Sequence, residues 1–153
     1  MDSFALTPAE RALFQSLERR GIRFVIIGMG AAMIEGAPVT TQDLDLWLED
    51  AAATELPLAA IDAGGFWISG FGLQPPSFGG EGLDRVDVVL TAHGLSDFST
   101  EYSAASEQEI EGVRLRVLSL ERIIASKQAT GRAKDKAAIP ILEATLAAKR
   151  APK

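Results

Sequence analysis

Three aspartates stand where carboxylates can do chemistry. Asp43 and Asp45 flank Leu44, downstream of an apolar run at Phe24 to Ile27 and the glycines Gly28 and Gly30; Asp87 sits in a second apolar run, Arg85 to Leu90. If residues 43–48 form a strand, its period of two sets Asp43 and Asp45 on one face and Leu44, Leu46 and Leu48 on the other. The two Cα atoms then lie about 7 Å apart, at roughly 3.3 Å per residue. Like charges held that close raise each other's pKa unless something positive sits between them, and a divalent metal is the commonest such thing. The pattern reads as a site for Mg²⁺ or Mn²⁺.

Composition narrows the chemistry further. The chain has no cysteine and a single histidine, His93, which excludes thiolate nucleophiles, disulfides and Cys- or His-rich metal centres. Any metal must be bound through oxygen. A net charge of −6 argues against a broad surface tracking nucleic-acid phosphates, though it leaves room for one local basic patch. No apolar stretch approaches the ~20 residues needed to cross a bilayer. The N-terminus, with Asp2 and Glu10, lacks the basic start and apolar run of a signal peptide, so a cytoplasmic location is expected. With 153 residues and 47% hydrophobic content, the expectation is one domain over residues 1–148 with a flexible tail at 149–153.

The elements that must position the aspartates can be read in order. Thr7-Pro8-Ala9-Glu10 combines an N-cap, a proline at the first helical position and a glutamate placed to close a capping box. Leu13, Phe14 and Leu17 follow at helical spacing, and Gly21 supplies a stop. Phe24 to Ile27 reads as a buried central strand, Ala31 to Glu35 as a short helix ended by Gly36 and Pro38, and Thr54 to Ala63 as another helix. The glycines at 70, 72, 79, 80 and 82 and the prolines at 75 and 76 mark a loop without an element of its own, the expected mobile lid. Arg85 to Leu90 and Val113 to Val117 read as strands. Ser119 caps a helix carrying Leu120, Ile123, Ile124 and Lys127 that ends at Gly131, and a last helix runs from Lys134 to about Ala148.

Several residues have plainer readings. Glu49 and Asp50 read as solvated charges, His93 as a strand-end residue without catalytic duty, and Trp47 and Trp67 as core or rim residues. Lys127 shares a helix face with Ile123 and Ile124, so it suits either nucleotide contact or snorkelling to water. Arg132, Lys134 and Asp135 otherwise form a charged interhelical turn.

The run Val25-Ile26-Ile27-Gly28-Met29-Gly30-Ala31-Ala32, followed by Gly36-Ala37-Pro38-Val39-Thr40-Thr41-Gln42-Asp43-Leu44-Asp45-Leu46, resembles the core motif of the nucleotidyltransferase (polymerase-beta-like) superfamily. In particular it resembles the small bacterial members of the abortive-infection and toxin-antitoxin type. Val117 to Lys127 and Gly131 to Asp135 are similar to that group's closing helices, so the resemblance spans roughly residues 21–145. It implies an α/β (α+β) fold: a mixed, mostly antiparallel-edged central sheet flanked by helices, with further helices at the C-terminus. It also implies that Asp43 and Asp45 hold the metal, with Asp87 as third carboxylate. Nucleotide contacts would come from Gly28, Met29, Gly30, Thr41, Lys127 and Arg132.

The activity implied is metal-dependent transfer of a nucleoside monophosphate from an NTP, ATP among them, to a hydroxyl of a protein, tRNA or small molecule. A protein partner or antitoxin is part of the same expectation. Met29 in the glycine turn and Val39, where related chains often carry Arg before the threonine pair, depart from the pattern. They motivate an alternative: a catalytically inactive module of the same fold that binds nucleotide or a protein partner. A purely structural subunit would instead show an exposed apolar patch on the last helix at Ile139, Ile141, Leu142 and Leu146.

Overall fold

The computed structural model describes residues 4–152. Asp2 and Lys153, parts of the expected N-terminus and tail, lie outside the described residues. The elements follow in the order α1 (Pro8–Arg19), β1 (Phe24–Ile27), α2 (Gly28–Ile34), β2 (Leu44–Leu48), α3 (Leu56–Asp62), β3 (Phe66–Ile68), β4 (Ser77–Gly79), β5 (Val86–Val89), α4 (Phe98–Ala104), β6 (Ser106–Ile110), β7 (Val113–Val117), α5 (Leu120–Thr130) and α6 (Ala133–Arg150). Five strands form one mixed sheet in the order β5-β2-β1-β7-β6, and β3 pairs with β4 in a separate hairpin. Within the main sheet β1–β2 and β6–β7 are antiparallel, while β1–β7 and β2–β5 are parallel. Only the β6 edge is therefore antiparallel; the β5 edge, which carries Asp87, is parallel.

Every residue of β1 is buried, as its unbroken apolar run requires of the central strand. Phe24 and Ile26 meet Leu48 and Leu46 across the β1–β2 pair, and Phe14 of α1 stacks on Phe24 with ring centroids 5.5 Å apart. On the opposite face, Trp47 donates to the Leu90 carbonyl at 3.2 Å and meets Phe98 of α4 edge-on at 5.3 Å. The sheet is thus packed on both faces, with Asp45 near the start of β2 beside Ile27 at the end of β1.

Helix α1 starts as its sequence dictates. Glu10 N–H donates to Thr7 Oγ1 at 3.0 Å while Thr7 N–H donates to Glu10 Oε1 at 2.9 Å. Glu10 is fully buried, and Arg85 answers its charge with two bonds, Nε to Oε2 at 2.7 Å and Nη2 to Oε1 at 2.8 Å. Arg85 immediately precedes β5, so the helix cap also anchors the strand that carries Asp87.

The structure revises four expectations. Helix α2 begins at Gly28, directly from β1, not at Ala31, because Gly28 adopts φ +69 and turns the chain in one residue. The segment 70–82 is not a structureless lid: it contains β4, and hydrogen bonds between Phe71 and Gln74 close a tight turn at the hairpin tip. Helix α4 and strand β6 were not read from sequence at all. The apolar patch that a purely structural subunit would show on the last helix is mostly covered, with Leu142 fully buried and Ile139 and Leu146 packed on the core. Helix α6 runs to Arg150, two residues into the expected tail, and Lys149 Nζ lies 2.6 Å from Glu35 Oε2.

Arg122 of α5 grips Glu101 of α4 with bonds of 3.0 and 2.6 Å, and the Ser96 N–H adds a third at 2.8 Å. The Arg122 bonds, against the opposing effect of burial and with help from Ser96, hold the Glu101 carboxyl below its ordinary value. Stability from a depressed carboxyl is present above its unfolded pKa and lost as pH falls through its folded one. Arg122→Met is therefore expected to cost about 2 kcal/mol at pH 7, less than a fully buried pair because Arg122 is 36% exposed. The gap to the parent chain should shrink below pH 4.5. Urea unfolding at both pH values checks this, and an equal gap at each would contradict it.

Candidate active site

The parallel register of β2 and β5 sets Leu44 beside Val86, Asp45 beside Asp87 and Leu46 beside Val88. Adjacent strands lie about 4.8 Å apart, so two carboxylates on neighbouring in-register positions project from the same face at close quarters. β2 begins at Leu44, one residue later than expected, so Asp43 lies just ahead of the strand. Its N–H donates to Thr41 Oγ1 at 3.1 Å, which fixes the turn leading into β2.

Asp45 is the most confined of the three carboxylates. Burial, then the neighbouring charges of Asp87 and Asp43, push its pKa up to about 6, while Lys127 and Lys134 offset part of the rise. Burial and Asp43 push Asp87 in the same direction. Gly28 makes the confinement possible: a Cβ there would lie 2.5 Å from Asp45 Oδ2. Only a residue without a side chain lets β1 turn into α2 against that carboxylate.

Two clefts meet at Lys127. The larger, about 610 Å³, is lined by Met29, Thr40, Thr41, Asp43, Lys127 and Lys134. The smaller, about 210 Å³, is lined by Gly28, Asp45, His93, Lys127, Arg132 and Asp135, among others. Of the residues expected to contact nucleotide, Met29, Thr41 and Lys127 border the first cleft, and Gly28, Lys127 and Arg132 the second. Gly30 is buried against Leu44 instead. Val39 borders a separate apolar cleft of about 520 Å³ that shares Thr40 with the larger one.

The basic residues are organised by Asp135, which the sequence reading assigned only to a charged turn. Its carboxylate, 3% exposed, accepts from Lys127 Nζ at 3.1 Å, Thr130 Oγ1 at 2.6 Å and Arg132 Nε at 2.6 Å. Burial would push Asp135 up, but these bonds and the Lys127 charge outweigh it and hold the carboxyl well below the usual range. Arg132 and Asp135 are three apart at the start of α6, the spacing that makes side chains meet on a helix, and this was the signal available. His93 also proves to border the Asp45 cleft, in the loop after β5. Nothing in its sequence surroundings marked it.

The donor set suits a hard cation: carboxylate oxygens, one partly buried and raised in pKa by its neighbours, with no sulfur or imidazole among Asp43, Asp45 and Asp87. Among the described residues no three acidic, His or Cys side chains are gathered closely enough to hold an ion alone. The three aspartates expected to hold the metal are therefore not gathered into such a group by themselves.

Two outcomes follow from this geometry. Gly28→Ala is expected to destabilise the chain by more than the roughly 1 kcal/mol of positive-φ strain, and by more than Gly131→Ala, where φ is +66 and no atom lies within 4 Å. Adding Asp45→Ala should relieve the excess; equal costs at both glycines would contradict the close contact. In a double-mutant cycle, Asp135→Asn and Lys127→Met should couple by about 1–3 kcal/mol in unfolding free energy, and additive effects would contradict the pairing.

No family model matches the sequence, and no curated protein matches it. Solved structures do match. The chain is similar to the solution structure of the antibiotic-resistance factor ANT(2'')-Ia at 18% identity, covering 92% of this chain and 84% of that one with a TM-score of 0.56. The crystal structure of ANT(2'')-Ia in complex with adenylyl-2''-tobramycin matches at 20% identity, 91% and 88% coverage and a TM-score of 0.51. An antigenic nucleotidyltransferase-like protein from Paracoccidioides brasiliensis matches at 20% identity, 92% and 75% coverage and a TM-score of 0.59. The fold of this chain is the nucleotidyltransferase fold.

Proposed function

We propose that the chain transfers a nucleoside monophosphate from an NTP to a hydroxyl acceptor and releases pyrophosphate. The observation that carries this reading is the in-register pair Asp45–Asp87, with Asp43 alongside and Lys127 and Lys134 acting on Asp45. Asp43 and Asp45 would hold Mg²⁺ or Mn²⁺, with Asp87 as the third carboxylate. Bound there, the cation supplies neutralisation of phosphate oxygens and lowers the pKa of the attacking hydroxyl.

The chain's own residues do the rest. Lys127 and Lys134 offset the charge of the triphosphate, and Asp135 keeps Lys127 at the junction of the two clefts. Asp87, the more exposed of the strand-borne pair, takes the proton from the acceptor hydroxyl in this reading. The acceptor oxygen then bonds to the α-phosphorus as the bond to pyrophosphate breaks.

A small polyhydroxyl acceptor is favoured over tRNA. A protein of the same fold has been solved with adenylyl-2''-tobramycin, while a net charge of −6 disfavours a polyanion. A toxin-antitoxin role rests on the resemblance of the sequence motif alone; growth arrest on expression that Asp43→Ala relieves supports it, and harmless expression of active enzyme counts against it. Met29 in the lining of the larger cleft favours one second reading, a module of this fold that binds without catalysis.

Thermal unfolding with ATP, CTP, GTP or UTP, each with and without Mg²⁺, tests the proposal. At a hundredfold excess over Kd a bound nucleotide stabilises by about 2.7 kcal/mol. A Mg²⁺-dependent shift lost in Asp43→Ala/Asp45→Ala is the expected result; no shift at millimolar nucleotide would overturn it. A shift without pyrophosphate release in the presence of acceptor hydroxyls would favour the non-catalytic reading.

A further inference from the structure

From Ala63 to Gly80 the chain carries no charged residue, although 24% of the whole sequence is charged. This stretch builds the β3–β4 hairpin, whose two faces differ. On one, Trp67 packs on Phe78 with ring centroids 4.7 Å apart, and Phe78 is buried. On the other, Phe66 and Ile68 are 53% and 49% exposed, and at the tip Phe71 and Leu73 reach 87% and 103%. The exposure is built in. Phe71 and Gln74 exchange two backbone hydrogen bonds around Gly72, whose φ of +61 closes the turn, so both tip side chains point outward from an ordered hairpin.

A surface of this kind has a size. At roughly 200 Å² for a fully exposed Phe or Leu, the four hairpin side chains offer on the order of 600 Å². Given by both copies, that area reaches about 1,200 Å² in total, where standard interfaces begin. A monomer rarely leaves so much apolar surface in water without a use.

The charge distribution selects the occupant. The hairpin carries no Lys or Arg to draw in an anionic lipid surface, and Asp62, the charged residue just before it, is already paired with Arg19 and Arg20. Two copies of the hairpin, by contrast, bring no like charges together. A two-fold contact asks only that one patch complement itself, and here large side chains, Phe71 and Leu73, alternate with the gaps left by Gly70 and Gly72. β3 pairs only with β4 among the described residues, so its outer edge is open to the same strand of a second copy. We propose that the β3–β4 hairpin is a self-association surface through which two copies of this chain form a symmetric dimer.

Sedimentation velocity of the full chain and of Phe71→Asp/Leu73→Asp tests it. Both side chains are solvent-exposed, so the double variant should keep the parental circular dichroism and melting curve. The parent is expected to sediment at twice the 16.3 kDa chain mass at about 100 μM, where a micromolar Kd leaves most chains paired, and the variant as a monomer. A parent that stays monomeric, or a dimer that survives the double substitution, would overturn the proposal. Flotation of the parent with zwitterionic phosphatidylcholine vesicles, lost in the variant, would assign the patch to lipid instead.

Discussion

Two carboxylates in register on adjacent parallel strands are an unfavourable thing to build, and the neighbourhood of Asp45 and Asp87 is arranged around that repulsion. The pairing is imposed by hydrophobic alternation. Leu44 and Leu46 on β2 and Val86 and Val88 on β5 share the face opposite Asp45 and Trp47, and a slip of one residue would turn all four to the other face and set the aspartates in their place. Core packing thus holds the acidic pair together against its own electrostatics.

The surrounding elements manage what that pairing creates. Gly28 turns β1 into α2 in a single residue and leaves room for the Asp45 carboxylate. Arg85, anchored by the buried capping-box glutamate Glu10, ties the start of β5 to α1. On the far side, Asp135 binds Lys127 and Arg132 across the break between α5 and α6, so that cationic groups border the acidic ones. The cations are satisfied by Asp135, while Asp45 and Asp87 are left to repel one another. An incoming anionic ligand with a cation would therefore enter a site whose charges are already in place, which limits the reorganisation required on binding.

Much of this was legible in the sequence because the signals are local. The Thr7–Glu10 capping box, the apolar run of β1, the alternation of β2, β5 and β7, and the Ser119 and Gly131 caps of α5 each depend on residues within one element, and each element formed where its signal lies. β6 was missed because Ser106 to Ile110 is mostly polar, as befits an edge strand. Its one sequence cue is the two-residue turn Glu111-Gly112, which needs positive φ at both positions and has it. The glycine- and proline-rich segment misled because glycines serve a hairpin with a flat ring-on-glycine contact, Phe66 over Gly79, as readily as a loop. The aspartates could be listed from their spacing, but that Asp45 and Asp87 are partners, and that Asp135 organises Lys127, depends on strand order and helix packing. Those are properties of the fold as a whole.

The central claim is that Asp43 and Asp45 hold a divalent cation together with a nucleotide. The most direct measurement is a crystal grown with Mn²⁺ and a non-hydrolysable NTP, with diffraction recorded at the manganese edge. The account predicts an anomalous peak at the Asp43 and Asp45 carboxylates, with the nucleotide bound in the same site. A nucleotide bound elsewhere, or a manganese peak away from these aspartates, would contradict it.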